Sequence, residues 1–312
     1  MKDIDLRGII PAIVTPMTSD GELDLPTLRR YAGWLAEQGP VALAVNVDTG
    51  EGPHLTPDEK RQTLETVAEA VAGKCKVVGG VAGPSTAQGI ANARAAQSAG
   101  ADALLVFPIS AFLGQPLNPE VPYRYHAAIA GAVELPLILF QLQPALGGVL
   151  FTAEILHRLI TIPSVVAIKE ASFDAMRFLQ VKAALESASR KITFLTGNDN
   201  FICESFILGA EGALLGFSTL GTREQVRMLD AVRRGDIAEA QELGSRLQPL
   251  ADIIFAPPVT DYRARTKEAL KMLGILENTT VRPPLLPVPE VEHQTIRRAL
   301  ENAGLLLSAV SR

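Results

Sequence analysis

Short aliphatic runs alternate along this chain with longer stretches whose apolar residues recur every three or four positions. The first pattern predicts strands and the second amphipathic helices. Strands are predicted near residues 8–14, 41–46, 76–81, 102–107, 136–141, 164–169, 192–196 and 212–216. Each is nearly continuous in apolar residues, as in strands covered on both faces. Helices are predicted between them near 25–38, 57–73, 86–98, 119–132, 152–160, 173–186 and 200–208. Thr56, followed by Pro57, Asp58 and Glu59, reads as a helix N-terminus, and Thr152-Ala153-Glu154 is a weaker version. One helix-to-strand joint occurs twice, as Ala99-Gly100-Ala101-Asp102-Ala103-Leu104-Leu105 and Gly209-Ala210-Glu211-Gly212-Ala213-Leu214-Leu215.

Eight strand–helix units suit a (β/α)8 TIM barrel, for which about 250 residues are typical. A doubly wound sheet is the alternative, but Gly79-Gly80-Val81-Ala82-Gly83 lacks the glycine spacing of a dinucleotide loop. From residue 222 the strand pattern ceases. Helical patterns near 222–234, 236–255, 261–274 and 290–304 are separated by Pro257-Pro258 and the extended run 281–287. The expected division is a barrel over 1–221 and a small helical C-terminal domain over 222–312.

Composition narrows the function. A formal charge of −5 on 312 residues argues against a nucleic-acid partner. The first residues lack the basic-then-apolar layout of a signal peptide. The apolar stretch near residue 103 is broken by Pro108, Ser110 and Gly114, too soon to span a bilayer. Cys75 and Cys203 are isolated, and the four histidines make no ligand pattern. We therefore expect no metal, no cofactor, no membrane partner and a cytoplasmic location.

Lys169 closes the run Val165-Val166-Ala167-Ile168 and precedes Glu170-Ala171-Ser172. Strand alternation places Val165, Ala167 and Lys169 on one face. Apolar surroundings disfavour an ammonium, and a neutral lysine is a nucleophile suited to forming a Schiff base with a ketone. The plainer alternative is a rim ion pair with Glu170. In a barrel, catalytic groups sit at the C-terminal ends of the strands. Those ends supply Asp48 and Thr49 after strand two, Ser110 after strand four and Phe140 on strand five. They also supply Lys169 on strand six, the Gly197-Asn198-Asp199 turn after strand seven, and Leu214 on strand eight.

These segments resemble the dihydrodipicolinate synthase / N-acetylneuraminate lyase family of Schiff-base aldolases. The likeness is carried by residues 8–16, by Thr49-Gly50-Glu51-Gly52-Pro53-His54-Leu55-Thr56 and by Ala99-Gly100-Ala101-Asp102. It continues in Ile168-Lys169-Glu170-Ala171-Ser172, Gly197-Asn198-Asp199, Tyr262-Arg263-Ala264 and Lys267-Glu268-Ala269-Leu270. The resemblance implies a (β/α)8 barrel, a homo-oligomer (tetramer or dimer), no metal, and Lys169 as the Schiff-base residue acting on a 2-oxo acid or related ketone.

The chain also departs from the family pattern. Two small hydroxyl residues that bind the substrate carboxylate are expected before Gly50-Glu51; here they are Asp48 and Thr49. A proton-shuttling tyrosine is replaced by Phe140, a second by Ser110, and the loop 143–148 has no cation where the synthase branch has an arginine. A fixed charge ~4 Å away disfavours a like charge by ~4 kcal/mol at an effective dielectric of 20, so Asp48 should repel a carboxylate. It is the expected proton-transfer group, with Thr49, Phe140, Ser110 and Leu214 contacting substrate. Glu51 is expected to brace its loop and Asp199 to cap the helix near 200. The reading is a lyase, aldolase or dehydratase, distinct from a true dihydrodipicolinate synthase. A catalytically impaired metabolite sensor is the alternative, and an NAD-dependent barrel enzyme a weaker third.

Overall fold

In the structure, a computed structural model that describes residues 4–306 apart from residue 115, eight parallel strands form one sheet. They are β1 (Ile9–Pro11), β2 (Ala42–Val45), β3 (Lys76–Val81), β4 (Ala103–Val106), β5 (Leu137–Leu142), β6 (Val165–Ala171), β7 (Thr193–Thr196) and β8 (Gly212–Leu215). Each strand pairs with its sequence neighbour, and β8 pairs with β1. A bridge between Ala12 and Ala44, with Val41 N–H donating to the Ile9 carbonyl at 3.0 Å, joins β1 to β2 and closes the ring. The (β/α)8 barrel expected from the sequence is present.

Seven helices alternate with the strands: α1 (Leu25–Ala36), α2 (Pro57–Ala70), α3 (Thr86–Ser98), α4 (Glu120–Ala130), α5 (Ala153–Ile160), α6 (Ala175–Glu186) and α7 (Ile202–Ile207). After β8 come α8 (Thr222–Arg234), α9 (Ile237–Ile254), α10 (Tyr262–Met272) and α11 (Glu290–Asn302). The expected boundary at 221/222 falls at the start of α8. That helix packs on β1 and α7 as well as on α9, so it covers the barrel while leading into the C-terminal helices.

Strand faces sort by size. Ile9, Leu43, Val77, Leu104, Leu139, Val165 and Ile168 pack outward under the helices. Inside, small residues such as Ala42, Ala44, Ala103 and Ala167 share the interior with Ile10, Leu105, Ile138, Leu195 and Leu214. Val165 thus faces outward, contrary to simple alternation. Leu137 and Ile138 are adjacent on β5, yet their partners Val165 and Ala167 are two apart on β6. The extra residue, Val166, makes a bulge that reverses the alternation on its N-terminal side. Ala167, Lys169 and Ala171 then all face inward.

Local signals act as read. Thr56 and Glu59 form a reciprocal cap, with Thr56 N–H donating to Glu59 Oε2 at 2.7 Å and Glu59 N–H to Thr56 Oγ1 at 3.3 Å. The repeated joint has a structural reason. Asp102 Oδ2 accepts from Val77 N–H and Glu211 Oε2 from Phe194 N–H, each at 3.0 Å. An acid in that short loop ties the incoming strand to its neighbour.

Candidate functional site

A pocket opens at the C-terminal ends of the strands. Val47, Asp48 and Thr49 line it after β2, and Phe107 after β4. Phe140 and Leu142 come from β5, Lys169 and Ala171 from β6, Phe173 from the turn beyond, and Gly197 and Asp199 from the turn after β7. Phe255, Val259 and Tyr262 close it from the C-terminal part.

Lys169 projects from the middle of β6 into this pocket. Phe140 stands beside it, its ring centroid 4.3 Å from the amine, and packs edge-on against Phe107 at 5.1 Å. Burial lowers the ammonium to about 8, against the opposing pull of Asp199 and Asp48. Close approach to the β7 turn requires glycine: a Cβ on Gly197 would lie 2.7 Å from Lys169 Cε and 2.8 Å from Ala171 Cβ.

Glu170 does not pair with Lys169. It points out of the barrel, fully buried, and accepts from Gln141 Nε2 (3.0 Å), Ser172 N–H (2.9 Å) and Asn198 Nδ2 (2.7 Å). Asn198 Oδ1 in turn accepts from Phe173 N–H at 2.6 Å. This network holds Phe173 at a left-handed φ of 60°, a costly conformation for a non-glycine residue, with its ring toward the pocket.

Asp48 carries partners that its local sequence does not announce. Arg263 Nη2 lies 2.5 Å from Asp48 Oδ2, Arg263 Nε donates to the Asp48 carbonyl at 2.9 Å, and the Tyr262 hydroxyl donates to Oδ2 at 2.8 Å. The repulsion expected of an uncompensated Asp48 is therefore offset by a guanidinium. Thr49 is buried in the wall, its Oγ1 3.3 Å from the Tyr262 hydroxyl. Tyr262 stacks on Phe255 at 4.7 Å, and burial together with the Asp48 charge raises its hydroxyl well above the ordinary tyrosine value.

Asp199 is not a helix cap. Its Oδ1 accepts from Phe217 N–H at 2.9 Å, and burial lifts it to about 7, against that hydrogen bond and the Lys169 charge. Glu51 braces its loop as expected, through partners that are far away in sequence. Lys267 Nζ lies 2.5 Å from Oε1 and Arg282 N–H donates to Oε2 at 2.8 Å.

Two expected substrate contacts are not brought to the pocket. Ser110 begins a single tight turn, 110–112, that leaves it exposed to solvent. Leu214 is enclosed in the barrel interior among residues such as Ile10 and Leu195. His54 lies in a short turn outside the lining. Conversely, Tyr262 and Arg263 belong to the site although the sequence offered them only within the family resemblance, and Asp199 lines the pocket where a helix cap was expected. Asp199 was visible in the turn after β7, whereas the reach of Tyr262 and Arg263 is a tertiary fact.

The model of the dihydrodipicolinate synthetase family matches residues 5–303. The chain belongs to that family. It is 31% identical over 306 residues to the 4-hydroxy-tetrahydrodipicolinate synthase of Gluconacetobacter diazotrophicus, covering 98% of this chain and 100% of the relative. The Moorella thermoacetica enzyme of the same name is 34% identical over 298 residues, covering 96% and 98%. Among solved structures, the dihydrodipicolinate synthase of Acinetobacter baumannii complexed with pyruvate superposes with a TM-score of 0.85 at 29% identity, over 97% of this chain and 100% of that one. Another match, described as a monomeric dihydrodipicolinate synthase variant, has a TM-score of 0.86 at 27% identity over 96% and 97%. As a member of the family, the protein is a lyase of the class I aldolase type. Among the described residues, no helix is long and apolar enough to cross a membrane, and no cluster of ligating side chains could hold a metal ion.

A Schiff-base role for Lys169 predicts a pH profile set by its lowered value. Only the neutral amine attacks a carbonyl. Its fraction falls tenfold per unit below about 8 and saturates above that value. The initial rate of lysine adduct formation with a 2-oxo acid under a mild hydride donor should therefore level off near pH 8 to 9. An unperturbed lysine would show a rate still climbing toward pH 10.

Proposed function

We propose that Lys169 condenses with the ketone of a small 2-oxo acid or related carbonyl compound. The resulting iminium then serves as the electron sink for cleaving or forming the adjacent C–C bond, or for eliminating a β-hydroxyl as water. The observation that carries this is an amine inside an apolar-walled pocket at the C-terminal mouth of a barrel, its proton affinity lowered by burial. Asp48 and Thr49 form the polar side of the pocket, and Phe140 is its apolar wall. The free thiols of Cys75 and Cys203 are in keeping with a reducing cytoplasm.

The substrate we infer differs from that of the relatives named above. Phe140 offers a ring and no proton, and Lys169 is the one cation among the lining residues. Leu142, Leu146, Phe173 and Val259 instead present apolar surface. A second substrate bearing its own carboxylate and ammonium finds no partner on that side. An aldol donor or dehydration substrate with an apolar or hydroxylated tail fits better.

Product identification tests this reading. Purified protein is incubated with a panel of 2-oxo acids and 4-hydroxy-2-oxo acids, and products are identified by NMR. Cleavage or dehydration of at least one hydroxylated member is expected. Condensation of pyruvate with aspartate semialdehyde at an ordinary enzymic rate would contradict the assignment. Tight binding without any covalent adduct would favour a metabolite sensor.

A further inference from the structure

The geometry points to Tyr262, supplied by the C-terminal helices, as the link in a proton relay that runs from the pocket wall through Thr49 to the solvent-facing carboxylate of Asp48. This rests on the reading of Lys169 as the Schiff-base residue and goes beyond it, since it assigns the proton transfer.

Three hydroxyl or carboxyl groups make a continuous chain. Thr49 Oγ1 is 3.3 Å from the Tyr262 hydroxyl, which is 2.8 Å from Asp48 Oδ2. All three residues line the pocket that contains Lys169. Exposure rises along the chain: Thr49 is 3% exposed, Tyr262 8%, and the Asp48 side chain 42%. The inner end is buried in the wall of the pocket that holds Lys169, and the outer end is exposed to water. Arg263 keeps Asp48 in place through Oδ2, the oxygen that also accepts from Tyr262, and through the backbone carbonyl.

The chemistry balances without any added reagent. When the iminium becomes an enamine, the C3–H bond breaks and its electron pair forms the C=C bond, neutralising the nitrogen. The proton passes to Thr49 Oγ as the Thr49 proton moves to the Tyr262 oxygen and the Tyr262 proton moves to Asp48. Water then removes it from Asp48. Reversal delivers a proton to the enamine carbon after bond cleavage. A buried phenol beside a carboxylate resists standing as phenolate, which favours the concerted hand-over. Phe140, next to Lys169, has no proton to offer, so the pocket's one phenol comes from α10.

The test separates imine formation from proton transfer. Wild-type protein, Tyr262→Phe and Asp48→Asn are each given pyruvate in D2O. One aliquot is reduced with borohydride for intact mass, and another is followed by NMR for exchange of the C3 hydrogens. Wild type should show both adduct and exchange. Tyr262→Phe should keep the adduct and lose ~10²-fold or more of the exchange rate, the scale of general acid–base catalysis. Asp48→Asn, which cannot take up a proton, should behave likewise and decides the matter should Tyr262→Phe fail to fold by circular dichroism. Exchange at the wild-type rate in a folded variant that forms adduct overturns the relay, as does adduct without exchange in wild type. Absence of any adduct in wild type overturns the Schiff-base reading instead.

Discussion

Replacing Lys169 by methionine is expected to abolish covalent capture of 2-oxo acids and to lower kcat/KM by on the order of 10⁴-fold or more, as loss of a covalent nucleophile does. The same change should stabilise the fold at neutral pH. In the folded protein the amine titrates at about 8, against 10.5 for an unperturbed lysine. Below about 8 it is protonated in both folded and unfolded chains, and the folded state bears the cost of a buried charge. Between about 8 and 10.5 the unfolded chain holds the extra proton, so wild-type stability rises with pH across that window. Lys169→Met, which has no such charge, should exceed wild type by ~1–3 kcal/mol in urea unfolding at pH 7. The difference should shrink toward pH 10. A variant less stable than wild type at pH 7, or one that still forms adduct, would contradict this account.

Lys267→Met is expected to be the most destabilising single change near the site. Lys267 and Glu51 are both fully buried, their charged atoms 2.5 Å apart, and Lys267 also donates to the Thr280 carbonyl at 2.6 Å. Removing one member of a buried pair leaves the other charge uncompensated, at ~3–5 kcal/mol. The functional consequence is local. Glu51 sits at a left-handed φ of 55° in the loop that carries Asp48 and Thr49, and its contacts with Lys267 and Arg282 fasten that loop to the C-terminal part. Adduct formation should therefore fall along with stability. The double variant Lys267→Met with Glu51→Gln should recover part of the lost stability, because the stranded carboxylate is gone. Urea unfolding of wild type, Lys267→Met, Glu51→Gln and the double variant measures this, and a cost below about 1 kcal/mol for Lys267→Met would show the pair to be inessential.

Much of the barrel could be read from the chain because its signals are local. Continuous aliphatic runs, the Thr56–Glu59 cap and the acid in the Ala-Gly-Ala-Asp joint each act on neighbours within a few residues or on the adjacent strand. The bulge at Val166 escaped because a single extra residue in one strand leaves no mark on composition or periodicity. Lys169 and Phe140 were legible as groups at strand ends. The environment of Asp48 was not, since Tyr262 lies 214 positions away and the ion pair with Arg263 exists only once α10 docks over the mouth. Asp199 was misread for a similar reason. Its carboxylate meets Phe217 N–H and the pocket rather than the helix that follows it. Ser110 and Leu214 show the converse. Position after or on a barrel strand put them forward, but a tight turn exposes one and interior packing encloses the other.

The central claim is tested most directly by borohydride reduction in the presence of a panel of 2-oxo acids, followed by peptide mapping of the modified protein. The account predicts a reduced adduct on the peptide containing Lys169, with at least one member of the panel and with no other lysine modified to a comparable extent. Failure of every member to modify Lys169, or modification of surface lysines alone, would contradict it.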